Sequence, residues 1–147
     1  MDNVKNDKLV SVIITTHNRC NLLKRAIKSV QEQSYNNLEI IVIDDNSSDD
    51  TEESVSEFIK CDARVKYIKI PESESKGGNY ARNRGIETST GEYVAFLDDD
   101  DVWYSNKVER QLEHLTSNSD LGAVSCEMRF VYDFGDKQYF DFSNTKL

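Results

Sequence analysis

The chain has 147 residues, with 18 lysines and arginines against 27 aspartates and glutamates, for a net charge of −9. That length supports one domain with a real core and no covalent staples, and that charge excludes a non-specific hold on nucleic acid or anionic lipid. A phosphate-bearing ligand therefore needs local help from a metal ion, helix N-termini or a few placed basic residues.

Met1 to Lys8 reads as a polar tail without an apolar segment, and no apolar run anywhere reaches the length of a membrane span. Leu9 to Thr15 is a short β-branched run, expected as a buried strand, with Thr16-His17-Asn18-Arg19 as its loop. From Asn21 the apolar residues Leu22, Leu23, Ala26, Ile27 and Val30 recur at helical spacing, so an amphipathic helix is expected to end near Gln33. Leu38 to Ile43 is the second strand, ending in Asp44-Asp45-Asn46-Ser47-Ser48-Asp49. Asp50 and Glu53 stand in capping-box relation at the start of the next helix, which turns Val55, Phe58 and Ile59 inward. Val65 to Ile70 alternates as a third strand near an edge, stopped by Pro71.

Pro71 to Gly78 is a flexible polar loop, and Asn79 to Thr88 a short helix fed by Gly77-Gly78. Tyr93 to Leu97 is a strand-length apolar run without alternation, expected to be buried on both faces and to deliver Asp98-Asp99-Asp100-Asp101 to the carboxyl edge of a sheet. Asn106 and Glu109 suggest a second capping box, for a helix bearing Val108, Leu112 and Leu115. Ala123 to Ser125 reads as a further strand. Arg129 to Asp133 and Gln138 to Asp141, around Gly135-Asp136, read as an aromatic hairpin. Strands alternating with helices predict an α/β class: one Rossmann-like domain with a mostly parallel sheet flanked by helices.

The acidic run carries the strongest chemical signal. Neighbouring carboxylates repel by roughly 1 kcal/mol in water and about 3–4 kcal/mol at an effective dielectric of 20, so a cation is expected to hold them. Asp98 and Asp100 flank one residue and suit an oxygen-liganded divalent metal with open positions for a diphosphate. G-x-G-x-x-G, the P-loop, the EF-hand and a serine-hydrolase motif are all absent. Simpler readings stand beside these. Asp44-Asp45 suffices as a helix-capping turn, Gly77-Gly78 as a plain turn, His17 as a loop residue, Arg82 as a surface arginine and Trp103 as packing under the acidic loop.

Four segments, V-S-V-I-I-T-T-H-N-R (Val10 to Arg19), I-D-D-N-S-S-D-D-T (Ile43 to Thr51), G-G-N-Y-A-R-N-R-G-I (Gly77 to Ile86) and G-E-Y-V-A-F-L-D-D-D-D-V-W (Gly91 to Trp103), together resemble the nucleotide-binding half of family 2 glycosyltransferases, inverting enzymes of the A-type glycosyltransferase fold. The resemblance covers about residues 9 to 115. It implies that Thr15, His17 and Arg19 line the nucleotide-sugar pocket, where the family more often has tyrosine or phenylalanine in place of His17. It also implies that Asp45 binds the base, that Gly78 and Arg82 close over the nucleotide, that Asp99 meets the ribose, and that Asp98 and Asp100 hold Mn²⁺ or Mg²⁺. The implied partners are a nucleotide-diphosphate sugar, a UDP-sugar first, and a carbohydrate or lipid-linked acceptor. The family's general base lies well after the D-x-D pair, so it is expected beyond Leu147, with the chain a piece of a longer enzyme.

The expected organisation is a tail at 1–8, a nucleotide-sugar-binding domain at 9–126 and the start of an acceptor-side hairpin region at 127–147. The three cysteines, odd in number and never paired as C-x-x-C, read as reduced thiols of a cytoplasmic chain, with a longer protein peripheral at the inner membrane face. A metal-dependent nucleotidyltransferase and a non-catalytic binding module remain the alternatives.

Overall fold

The computed structural model describes residues 8–128, 130–133 and 138–141. The chain divides into two units, Met1–Arg110 and Gln111–Leu147. In the first, β1 (Val10–Thr16), β2 (Leu38–Asp44), β3 (Val65–Lys69) and β4 (Tyr93–Asp98) form one all-parallel sheet in the order β3-β2-β1-β4. Helices α1 (Cys20–Gln31), α2 (Thr51–Cys61) and α3 (Gly78–Thr88) make the crossovers, and α4 (Lys107–Ser117) runs across the boundary between units. The second unit holds an antiparallel pair, β5 (Phe130–Asp133) with β6 (Gln138–Asp141). The hairpin read from the aromatic pattern is thus present, while Arg129 and the Gly135-Asp136 turn lie outside the described residues.

The sheet is built by β-branched residues that leave no water beside the central strands. All seven residues of β2 are buried, and β1 is buried except at Thr15. Leu23, Ile27, Val30 and Val55 of α1 and α2 are fully buried. On the other face α3 closes over β1 and β2 around Ile13, Ile41, Ile43, Ile70 and Ala81. Gly85 lets it come close: a Cβ there would stand 2.4 Å from Ile13 Cγ2.

Several local expectations need correction. The strand from Tyr93 is not buried on both faces. It is the end strand of the described sheet, and its exposure alternates, with Val94 39% and Phe96 47% exposed. Register explains this, because Phe96 lies beside Ile13 and shares its face, but α3 is centred on β1 and β2 and leaves β4 uncovered there.

Neither proposed capping box forms as read. Asp50 makes no capping side-chain bond, and Asp49 Oδ1 instead accepts from the backbone N of Thr51 (3.2 Å) and from its Oγ1 (2.5 Å). At α4, Glu109 accepts from Ser34 Oγ at 2.7 Å, and the backbone N of Val108 donates to Gln33 Oε1 at 3.0 Å. Residues 123–125 are not a strand.

Candidate functional site

Parallel register brings the carboxyl ends of three strands to one level. Thr16 lies opposite Asp44 on one side of β1, and Thr15 opposite Asp98 on the other. The loops that follow therefore open together, at the edge where open α/β sheets take ligands. They surround a cleft of about 470 Å³, with Thr15, His17 and Arg19 from the β1 end, Asp45 from the β2 end, Gly77, Gly78 and Arg82 from the start of α3, and Asp98, Asp99 and Asp100 from the β4 end. Every site residue anticipated from sequence thus lies on one wall or another of the same cleft.

The two aspartates after β2 differ completely in environment. Asp44 is fully buried and satisfied: its Oδ1 accepts from the backbone N of Ser47 at 2.8 Å and its Oδ2 from the Tyr67 hydroxyl at 2.6 Å. Burial, with the Asp44 charge alongside, pushes the Tyr67 phenol far above its ordinary range. Asp45, 7% exposed, accepts from the backbone N of Gly77 at 2.9 Å through Oδ2, while its buried Oδ1 has no hydrogen-bond partner. A buried carboxylate oxygen without a donor is costly. Asp45 itself lines the cleft, so the site's one unsatisfied buried oxygen among the described residues belongs to a cleft residue.

The β1 loop is held in place by its own polar side chains. Asn18 takes a left-handed backbone conformation (φ 53°), and its Oδ1 accepts from the backbone N of Ser48 at 2.7 Å. His17 Nδ1 lies 2.7 Å from the Asp45 carbonyl, which only accepts, and Nε2 lies 3.0 Å from the Asn18 amide nitrogen. Together these contacts select the neutral Nδ1–H tautomer. His17 is therefore fixed to the β2 loop on one ring edge.

The cation demanded by the acidic run is present as two guanidiniums. Arg19 Nη1 donates to Asp99 Oδ1 and to Asp100 Oδ2, both at 3.1 Å, and Arg82 Nη2 donates to Asp98 Oδ1. The hydrogen bond that Arg19 donates to Asp99, then the charges of Asp99 and Asp100, raise the Arg19 pKa further. Asp99 is 4% exposed and also accepts from Thr16 Oγ1 at 2.7 Å. Thr16, expected as the first residue of the loop, instead closes β1, and its partner Asp99 lies 83 residues away, so nothing local marks its role. Partial desolvation, then the charges of Asp100 and Asp98, raise the Asp101 carboxyl.

Trp103, half-buried, donates its backbone N–H to Ser29 Oγ at 3.2 Å and carries the Lys107 ammonium 4.0 Å from its ring centroid. Among the described residues, no group of three or more His, Cys, Asp or Glu could hold a metal ion by itself. Asp98 and Asp100 are nonetheless hard oxygen donors, each about half exposed at the cleft. That donor set fits Mg²⁺ or Mn²⁺, hard cations that need only one or two protein carboxylates and take the rest of their shell from water and phosphate.

Comparison with known proteins places this geometry in a family. Residues 11–143 match the model described as Glycosyl transferase family 2. The chain is 50% identical over 104 residues to the GalNAc(5)-diNAcBac-PP-undecaprenol beta-1,3-glucosyltransferase of Campylobacter jejuni, covering 71% of this chain and 33% of that protein. It is 39% identical over 113 residues to the UDP-Glc:alpha-D-GlcNAc-diphosphoundecaprenol beta-1,3-glucosyltransferase WfgD of Escherichia coli, covering 77% of this chain and 43% of that one. The mannosyltransferase PcManGT from Pyrobaculum calidifontis, solved with GDP-Man and Mn²⁺, superposes with a TM-score of 0.73 at 29% identity, over 82% of this chain and 35% of that one. The chain thus spans less than half the length of each of these relatives. With its parallel sheet, its cleft at the carboxyl edge and a family match over most of its length, the chain belongs to glycosyl transferase family 2 and has the A-type glycosyltransferase fold.

Proposed function

We propose that the cleft binds a nucleotide-diphosphate sugar, a UDP-sugar first, and that the protein transfers the sugar to an acceptor hydroxyl with inversion. The observation that carries this reading is the buried, unpartnered Oδ1 of Asp45. A nucleobase N–H facing it supplies the missing donor, while Oδ2 stays on the Gly77 N–H. Thr15 and His17 border the base and ribose, and Asp99, held by Thr16 and Arg19, presents its edge to the ribose. The start of α3 at Gly78 borders the same cleft, where a helix N-terminus suits the diphosphate, while the Gly77 N–H stays on Asp45. Mn²⁺ or Mg²⁺, when bound by Asp98 and Asp100, supplies Lewis-acid neutralisation of charge on the departing diphosphate.

The relatives support the donor class: the Escherichia coli protein is named for UDP-Glc, and the Pyrobaculum enzyme holds GDP-Man with Mn²⁺. Both curated relatives above are named for undecaprenol-linked acceptors, which makes a lipid-linked glycan the first acceptor class to try. No helix among the described residues is long and apolar enough to cross a membrane. The test is calorimetric titration of UDP and of GDP with and without Mn²⁺, with Trp103 fluorescence as a second reporter. Metal-dependent UDP binding is expected, and no binding of either nucleotide overturns the reading. With a competent acceptor, release of free UDP rather than pyrophosphate separates sugar transfer from nucleotidyl transfer.

A further inference from the structure

The ion pairs of the acidic run are of two kinds. Asp99 is buried and doubly held, by Thr16 and Arg19, whereas Asp98 and Asp100 have side chains 51% and 53% exposed and are each engaged by one guanidinium. Exposed pairs of this kind are weak and exchangeable, while the buried Asp99 contacts are not. The two carboxylates best suited to a cation are thus the two whose present partners are easiest to displace.

We propose that Arg19 and Arg82 are built-in counter-cations of Asp98–Asp100 that oppose a divalent cation arriving alone and give way when cation and diphosphate arrive together. This rests on the donor-site reading above and adds to it an order of loading. The three carboxylates in these ion pairs carry one negative charge more than the two guanidiniums, and the neighbouring Asp101 adds a second. A lone dication must displace guanidiniums from oxygens they already hold, and gains only the residual charge in return. A dication accompanied by the two negative charges of a sugar-nucleotide diphosphate restores the original balance. Arg82, rising from the first turns of α3 beside Gly78, is freed toward the phosphates it shares a wall with. Arg19 releases Asp100 and keeps its bond to Asp99. Cation and diphosphate then raise each other's affinity by the same factor, as linkage requires.

The experiment reads Mn²⁺ binding directly, from the loss of the free-ion electron paramagnetic resonance signal, with and without UDP. Wild-type protein is expected to hold Mn²⁺ weakly alone and roughly tenfold more tightly with saturating UDP. Arg82→Gln should bind Mn²⁺ alone about fivefold better and lose most of the UDP enhancement, while Arg82→Lys, which keeps the charge, should stay near wild type. Arg19→Gln should move in the same direction as Arg82→Gln, and it decides the matter if that variant fails to fold. Unchanged or weaker binding of Mn²⁺ alone in the glutamine variants overturns the counter-cation role and leaves the donor reading standing. Wild-type protein that retains no Mn²⁺ even with UDP overturns both.

Discussion

At the scale of single residues, the cleft depends on oxygens that look alike in sequence and differ in partners. Asp45→Asn keeps the shape but replaces one acceptor with a donor, so the amide either loses the Gly77 N–H or turns an N–H against the base. UDP affinity should fall by at least tenfold, as expected when a charged hydrogen bond is lost, with little change in melting temperature; calorimetry and a thermal melt check the two halves. Asp100→Ala should abolish the Mn²⁺-dependent part of UDP binding, and wild-type affinity in that variant would remove Asp100 from the metal site. Thr16→Val leaves the buried Asp99 without one donor and should cost about 1–3 kcal/mol in urea unfolding. The cleft position of Asp100 was legible from the Asp98-x-Asp100 spacing, and that of Asp45 from the family resemblance. Thr16 was not, since its partner lies 83 residues away.

At the scale of elements, glycines set how closely α3 approaches the sheet and how it begins. Gly85→Ala drives a methyl into Ile13 and should destabilise by about 1–3 kcal/mol, measurable by chemical denaturation. Gly77, at φ 86° and ψ 179°, occupies a region only glycine visits readily, so Gly77→Ala strains the start of α3 just where its N–H holds Asp45. The helices themselves were readable from apolar spacing, but their caps were not. Val108 N is satisfied by Gln33, whose amide also donates to the carbonyls of Ser29 and Tyr104. A cap supplied across 75 residues has no local signature.

At the scale of the first unit, a single carboxylate at the edge of the sheet opposite the cleft joins four segments. Glu39 on β2 accepts from Ser11 of β1 (2.5 Å), from Lys66 of β3 (2.6 Å) and from the Thr90 backbone N before β4 (2.6 Å). Burial alone would raise its pKa. The Lys66 ammonium and the hydrogen bonds from Ser11 and Thr90 outweigh burial and bring it down to about 2. Because the folded value lies below the unfolded one, the stabilisation is fully present above about pH 4.5 and is lost as pH falls toward 2. Urea unfolding between pH 6 and 2.5 should therefore show a decline, and Glu39→Gln should flatten it by on the order of 2 kcal/mol.

The sequence by itself determined the order of strands and helices from β1 to α4, the parallel α/β class and the loops that carry carboxylates, because apolar periodicity and clustered acids are local properties of a chain. Only the tertiary structure decided that β4 ends the described sheet, that Asp44 is fully satisfied while Asp45 keeps a buried oxygen without a partner, and that Arg19 and Arg82 are the cations on the acidic run. Each of these depends on strand register and on partners far apart in sequence, such as Arg19 and Asp99, 80 residues apart, which no local pattern encodes.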